Sequence, residues 1–160
     1  MDENKFISLV KHHEAAIYKV CWMFAHNDGE TVRDLYQEIV LRLWDGYKTK
    51  YHPENKDFNW IYRISLNTAI SYQRNEKRRK TALLELNSFN LHFEEVADSI
   101  VDDLYYLINQ LDDLEKSIIY LYLERKKHEE ISQIVGLSVS NVGTKIQRIK
   151  QKLKNIKDNQ

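Results

Sequence analysis

The sequence predicts an all-α chain: two small helical domains joined by an acidic linker, the C-terminal one a helix-turn-helix. Three observations carry this. Breakers are scarce, four Gly and one Pro in 160 residues, so long stretches can run helical. Apolar residues recur at three- and four-residue steps along most of the chain. Charge is segregated although it sums to zero. Residues 1–82 hold 14 Lys/Arg against 11 Asp/Glu, net +3; residues 83–115 hold none against 9, net −9; residues 116–160 hold 10 against 4, net +6. Two basic blocks flanking an acidic connector are the charge layout of two nucleic-acid-binding modules on a tether. The expected divisions are 1–82, a linker over 83–100, and 101–160.

Composition excludes several classes. No apolar run is long enough to span a bilayer. The first residues, MDENKF, are acidic and lack a signal-peptide core. Cys21 is the sole cysteine, so no disulfide framework or thiolate metal site is expected. Its place between Val20 and Trp22 suits a buried structural thiol better than a nucleophile. The six His show no ligand spacing. No metal or cofactor is expected, and a reducing, cytoplasmic setting fits.

From Asp2 to about His26, Phe6, Leu9, Val10, Ile17, Val20, Cys21 and Phe24 form one apolar stripe, read as a single helix ended by Asn27-Asp28-Gly29. A second helix is expected over about Glu30–Asp45, with Val32, Leu35, Tyr36, Ile39, Val40 and Leu43 inward. Its outer face carries Asp34, Gln37 and Glu38, and also Leu41 with Trp44 at the margin. Apolar groups inside a polar rim resemble a protein-docking patch; the alternative is that Trp44 tucks under the next loop. That loop, Gly46–Asp57, carries Tyr47 and Tyr51 directly before the next helix, and either is expected to combine with Phe58 and Trp60 to wall a pocket.

Phe58–Lys80 carries no Gly or Pro and is apolar around most of its circumference, so a buried helix is expected. One stripe breaks the pattern: Arg63, Asn67, Ser71 and Arg74 follow each other at helical spacing, edged by Trp60 and Ile64. The stretch ends in Arg74, Lys77, Arg78, Arg79 and Lys80. Cations hold phosphates, rings stack on bases and amides read base edges. This pattern suits a strand of nucleic acid; a core helix with a solvated basic end is the other reading.

Residues beyond Lys80 read as a linker with broken helical pieces, whose acidity is expected to restrain DNA binding by the free chain. A helix resumes near Asp98, with Val101, Leu104, Ile108 and Leu111 inward. Asp112 and Glu115 match a capping box, and Leu114, Ile118, Leu121 and Tyr122 mark the next buried face. Then HEEISQIV, His128–Val135, is a short helix, Gly136 a turn and Ser138 a cap. In the last helix Val139, Val142, Ile146, Ile149 and Leu153 are the expected buried stripe. Ser140, Asn141, Thr144, Lys145, Gln147 and Arg148 lie on the other side, and Lys150, Lys152 and Lys154 continue the charge. Short helix, glycine turn and longer polar-faced helix make a helix-turn-helix, whose second helix enters the major groove.

Taken in order, these stretches resemble a bacterial sigma factor of the sigma-70 family, of the small extracytoplasmic-function (ECF) type, from about Phe6 to Leu153. DLYQEIVLRLW, Asp34–Trp44, is similar to the family's core-polymerase-binding helix. FNWIYRISLNTAISYQRNEKRR, Phe58–Arg79, is similar to the segment that melts and reads the −10 promoter element. LDDLEKSIIYLYL with EEISQIVGLSVSNVGTKIQRIKQKL is similar to the domain that reads the −35 element. The resemblance implies polymerase contacts at Asp34, Gln37, Glu38, Leu41 and Trp44. It implies −10 contacts along Trp60, Arg63, Ile64, Asn67, Ser71, Arg74, Arg78 and Arg79, with Asn67 matching the position that meets the flipped base. It implies −35 contacts along Ser140, Asn141, Thr144, Lys145, Gln147 and Arg148. Gly143 departs from the family, where many members carry a basic residue. The implied partners are core RNA polymerase, promoter DNA and an anti-sigma factor, with no small-molecule substrate and no membrane insertion. No side chain has to make or break a covalent bond, so no enzyme is expected. The alternative is a free-standing helix-turn-helix regulator that binds duplex DNA alone, its Leu41 patch a dimer face.

Overall fold

The computed structural model describes residues 2–25, 29–52, 57–87 and 100–160. Regular structure there is helical throughout: α1 (Glu3–His12), α2 (Glu14–Phe24), α3 (Gly29–Thr49), α4 (Asp57–Asn87), α5 (Ile100–Asn109), α6 (Asp113–Leu123), α7 (His128–Val135) and α8 (Val139–Asp158). Contacts divide the chain into two units: Met1–Thr49 with Ile64–Asp98, and Lys50–Arg63 with Ser99–Gln160. The start of α4 is thus grouped with the C-terminal helices rather than with the N-terminal block expected from charge.

In the first unit, Asp2 caps α1 by accepting from the backbone N–H of Asn4 and Lys5. The single helix expected over 2–26 is two helices, broken at His13 (φ −106°, ψ 11°). The apolar stripe skips from Val10 to Ile17, across His12, His13 and Glu14, and the break falls in that gap. It lets α1 touch both α2 and α3 while α2 packs along α3. Phe6, Val10, Ile17, Val20, Cys21 and Phe24 are buried against Val32, Leu35, Ile39 and Leu43 of α3. Tyr36 of α3 stacks on Tyr18 of α2, centroids 4.4 Å apart. Burial pushes the Cys21 thiol up to about 12, partly offset by a backbone hydrogen bond. It is a structural thiol, as its neighbours suggested.

Helix α3 does not stop at Asp45. It continues through Gly46 to Thr49, because its last turn has partners. Tyr47 stacks on Trp44 and tilts onto Phe6, and Thr49 Oγ1 donates to the Asp45 carbonyl at 2.8 Å. The expected loop therefore begins at Lys50, and its residues 53–56 lie outside the described residues. Helix α4 likewise outruns Lys80 and takes in residues 83–87 of the expected linker; residues 88–99 lie outside the described residues. In the first unit α4 buries Leu66 and Ala69, with Ile70 half-buried.

The second unit centres on α6, which contacts α7 and α8. Asp112 accepts from the Glu115 N–H at 2.8 Å, and the Glu115 carboxylate accepts from the Asp112 N–H at 3.0 Å, completing the expected capping box. Every residue from Lys116 to Leu121 is buried. Lys116 is the unexpected one; its ammonium donates to Asn109 Oδ1 at 3.0 Å, which supplies the hydrogen bond a buried cation requires. Leu104 is 45% exposed, not inward. Among the described side chains of this stretch, Ile108 of α5 and Leu111 just beyond its end are buried; the side chain of Val101 lies outside the described residues.

The helix-turn-helix forms as read. Glu130 accepts from the Lys127 N–H at 2.9 Å and opens α7. Gly136 ends α7 at φ +77°, the left-handed region that glycine enters without a Cβ penalty. Ser132 Oγ donates to the Leu137 carbonyl and staples the turn. Ser138 accepts from the Asn141 N–H at 3.2 Å and caps α8. Only the middle of the expected stripe is buried, Val142, Ile146 and Ile149; Val139 is 42% exposed and Leu153 half-buried. Twenty residues make a helix of about 30 Å, contacted by α5, α6 and α7.

Candidate nucleic-acid interface

The stripe on α4 is where the pattern placed it. Arg63, Asn67, Ser71 and Arg74 are exposed, while Trp60 and Ile64 at its edge are half-buried. Arg78 and Arg79 are exposed beyond it, Arg79 within 3.8 Å of Glu76. In the first unit, Asn67 and Ser71 open onto a groove of about 490 Å³, lined from α4 also by Thr68, Tyr72, Asn75 and Glu76 and from α3 by Glu38 and Arg42. Arg42 Nε donates to Glu38 Oε1 at 3.0 Å across one turn of α3. Glu38, expected on the docking face, therefore looks into the groove beside Asn67. Sequence reasoning missed Arg42 and Asn75. The signal for Asn75 was present, since Asn67, Ser71 and Asn75 recur at four-residue steps.

The start of α4 belongs to the second unit and is heavily engaged there. Arg63 donates from Nη2 to the Gln133 carbonyl at 2.5 Å and from Nε to the Ile134 carbonyl at 3.2 Å. These are last-turn carbonyls of α7, which have no partner within their own helix. The Asn59 amide donates to Gln133 Oε1 at 2.6 Å, and the Lys126 ammonium sits 3.6 Å from the Phe58 ring centroid. Tyr62 is buried beside Tyr120. Burial pushes its phenol up to about 12; a hydrogen bond with Tyr120 lowers it and the charge of Glu124 raises it. Arg63 is thus exposed as expected, but its guanidinium has protein partners. Of the expected pocket, Tyr51 meets Trp60 at 5.0 Å between centroids and its hydroxyl bonds Asp57, whereas Phe58 turns to Tyr62 and Tyr47 goes to α1.

On α3, Asp34 and Gln37 are exposed and Leu41 is 59% exposed, a large apolar group set in a polar surround. Trp44 is not beside it as a second exposed anchor. Its ring is half-buried, 4.9 Å from Phe6, with Lys48 across its face at 5.3 Å. The α1 break brings Phe6 under that ring, so the apolar surface is satisfied within the unit.

On α8, Ser140, Asn141, Thr144, Gln147 and Arg148 are exposed and Lys145 is half-buried. Thr144 Oγ1 donates back to the Ser140 carbonyl at 3.2 Å. Two of the lysines beyond are not free charge. Lys150 donates to the Tyr122 hydroxyl at 2.7 Å and Lys152 pairs with Glu115 at 2.9 Å, so both tie α8 to α6. Gly143 lies against His128, with room for a methyl group at ordinary contact distance. Among the described residues no His/Cys/Asp/Glu group could hold a metal ion.

Residues 9–79 match the family model described as Sigma-70 region 2, and residues 102–153 match Sigma-70, region 4. The chain is 26% identical over 144 residues to RNA polymerase sigma factor SigV of Bacillus subtilis, covering 89% of this chain and 84% of that protein. It is 24% identical over 168 residues to the ECF RNA polymerase sigma factor SigW of the same organism, covering 96% and 89%. Among solved structures, it resembles CnrH in complex with the cytosolic domain of CnrY, with a TM-score of 0.71, 23% identity and coverage of 99% of this chain and 90% of that one. It also resembles the sigma factor RpoE in complex with the anti-sigma factor NepR from Bartonella quintana, with a TM-score of 0.68, 14% identity and coverage of 96% and 97%. The all-helical fold is shared with both.

Proposed function

Because this chain belongs to the sigma-70 family, in its ECF branch, we propose a division of labour among its surfaces. The chain directs promoter-specific transcription initiation by RNA polymerase, with core polymerase and promoter DNA as partners. The N-terminal block 1–82 supplies polymerase binding and the −10 strand, and the block 101–160 supplies the −35 duplex. Asp34, Gln37 and Leu41 contact polymerase. Asn67, flanked by Ser71 and Arg74 and supported by Trp60 and Ile64, selects an unpaired −10 base, while Arg78 and Arg79 hold phosphates. Thr144 and Arg148 contact the −35 duplex, with Ser140, Asn141, Lys145 and Gln147 around them.

The observation that carries this is the exposed Asn67, which lines a groove among other hydrogen-bonding side chains, on a helix that buries its other side at Leu66 and Ala69. An amide offers both donor and acceptor, so it can discriminate base edges where a cation only holds phosphate. Flipping a base costs a few kcal/mol, and stacking on an aromatic returns roughly 1–3 kcal/mol, the part assigned to Trp60. Sigma factors act as initiation factors without catalysis, and we assign no reaction to this chain. An anti-sigma factor is a further proposed partner, since both structural neighbours were solved with a second protein, one of them named as an anti-sigma factor. A cytoplasmic site of action is proposed; no described helix is long and apolar enough to cross a membrane.

The test is Asn67→Ala in transcription with core polymerase on a library randomised across the −10 element. The melting temperature should stay near wild type while preference relaxes at one position. An unchanged base profile removes Asn67 as the reader.

A further inference from the structure

The groove beside Asn67 is longer than one base reader needs. Asn67, Ser71 and Asn75 line it at successive turns of α4, which sets the two amides about 12 Å apart along the helix axis at 1.5 Å per residue. Its volume of about 490 Å³ lies inside the roughly 300–1,000 Å³ range of small-ligand clefts. Two amides, two hydroxyls, the Tyr72 ring and the Glu38–Arg42 pair face it. Glu38 and Glu76 outweigh Arg42, so the lining is acidic by one charge. That balance repels phosphate and suits the neutral, hydrogen-bonding edge of a base. The phosphates have a separate place, the exposed cations Lys77 and Arg78 beyond the groove on α4, with Arg74 exposed within the groove's span but not in its lining.

We propose that this groove seats a second unpaired base of the same promoter strand, and that Asn75 and Arg42 are its specificity residues. The proposal rests on the reading of α4 as the strand-selecting helix. Asn75 presents its amide to the base edge. Arg42 reaches the same base from α3, its guanidinium held at a fixed angle by Glu38 Oε1 at 3.0 Å. A guanidinium so held offers its remaining N–H groups as a fork in the plane of the base. The reader thus draws on two helices, one of which also carries the exposed Leu41.

The experiment uses the full chain with core RNA polymerase on the library randomised across the −10 element, comparing wild type, Asn67→Ala, Asn75→Ala and Arg42→Ala. A core pull-down and a melting curve are taken for each. Asn75→Ala and Arg42→Ala should flatten preference, by about tenfold for a base-edge contact, at one shared position different from the one that Asn67→Ala relaxes. Pull-down should be retained. Should Arg42→Ala fail to fold, Arg42→Lys keeps the charge beside Glu38 and loses the fork, and it should flatten the same position. A profile unchanged by Asn75→Ala, with the Asn67 effect intact, overturns the second seat and leaves the first reading standing. Reduced pull-down with an unchanged profile overturns it in favour of a polymerase contact. A wild-type profile flat across the −10 element overturns both readings.

Discussion

Arg63 donates two hydrogen bonds to consecutive carbonyls, Gln133 at 2.5 Å and Ile134 at 3.2 Å, closing the C-terminal end of α7. The interaction combines a charge-assisted pair of bonds with the negative end of a helix dipole. Arg63→Ala is expected to destabilise the free chain by roughly 1–3 kcal/mol, since two carbonyls lose their donors. Arg63→Lys should recover only part, because a point charge does not reproduce the fork. Denaturant titration of the two variants checks this. Equal stability of Arg63→Ala and wild type would mean that water replaces the guanidinium.

The two helix-turn-helix glycines are expected to respond in opposite senses. Gly136 sits at φ +77°, and Gly136→Ala should cost about 1–2 kcal/mol for forcing a Cβ into the left-handed region. Gly143 is helical, and a Cβ there would meet His128 no closer than 3.6 Å. Gly143→Ala should therefore stabilise the chain by up to about 1 kcal/mol, the helix-propensity difference. Calorimetry on both single variants measures the signs.

Thr144→Ala and Arg148→Ala should weaken recognition of upstream duplex while leaving the fold intact, as both are exposed opposite Val142 and Ile146. An arginine contact to a guanine edge is worth roughly 1–3 kcal/mol. Footprinting with core polymerase should fade over the upstream element, and a pre-melted template should restore transcription. Failure on the pre-melted template would assign this helix another role.

Leu41→Ala combined with Gln37→Ala should weaken the pull-down of core polymerase with little change in the circular dichroism melt. Leu41 is 59% exposed and Gln37 exposed, so little core is lost. Trp44→Ala should behave differently. Its ring packs on Phe6 and Tyr47, and its loss should lower the melting temperature as well. Undiminished pull-down by the folded double variant removes the docking patch.

Local patterns carried most of the fold into the sequence. The Asp112–Glu115 capping box, the Gly136 turn, the Ser138 cap and the Arg63–Asn67–Ser71–Arg74 stripe each depend on residues a few positions apart, and each is read correctly from spacing alone. What spacing does not report is which partner arrives from elsewhere in the chain. Trp44 has Tyr47 and Lys48 of its own helix beside it, but the contact from elsewhere in the chain is Phe6 of α1, 4.9 Å from its ring. Lys150 and Lys152 look like surface charge until Tyr122 and Glu115 of α6 take them. Arg42 faces away from the α4 stripe in sequence and joins it only across a groove. The register of α4 was legible and its partners were not, so the exposed stripe was read from spacing and the groove beside it was not.

The most direct test of the central claim compares the chain with and without core RNA polymerase on one promoter library. The account predicts that the chain alone shifts duplex DNA weakly in a gel. With core polymerase it should start transcription at promoters sharing an upstream duplex element and a downstream melted one. Tight, sequence-specific duplex binding by the chain alone, with no stimulation of core polymerase, would contradict it and indicate a free-standing regulator.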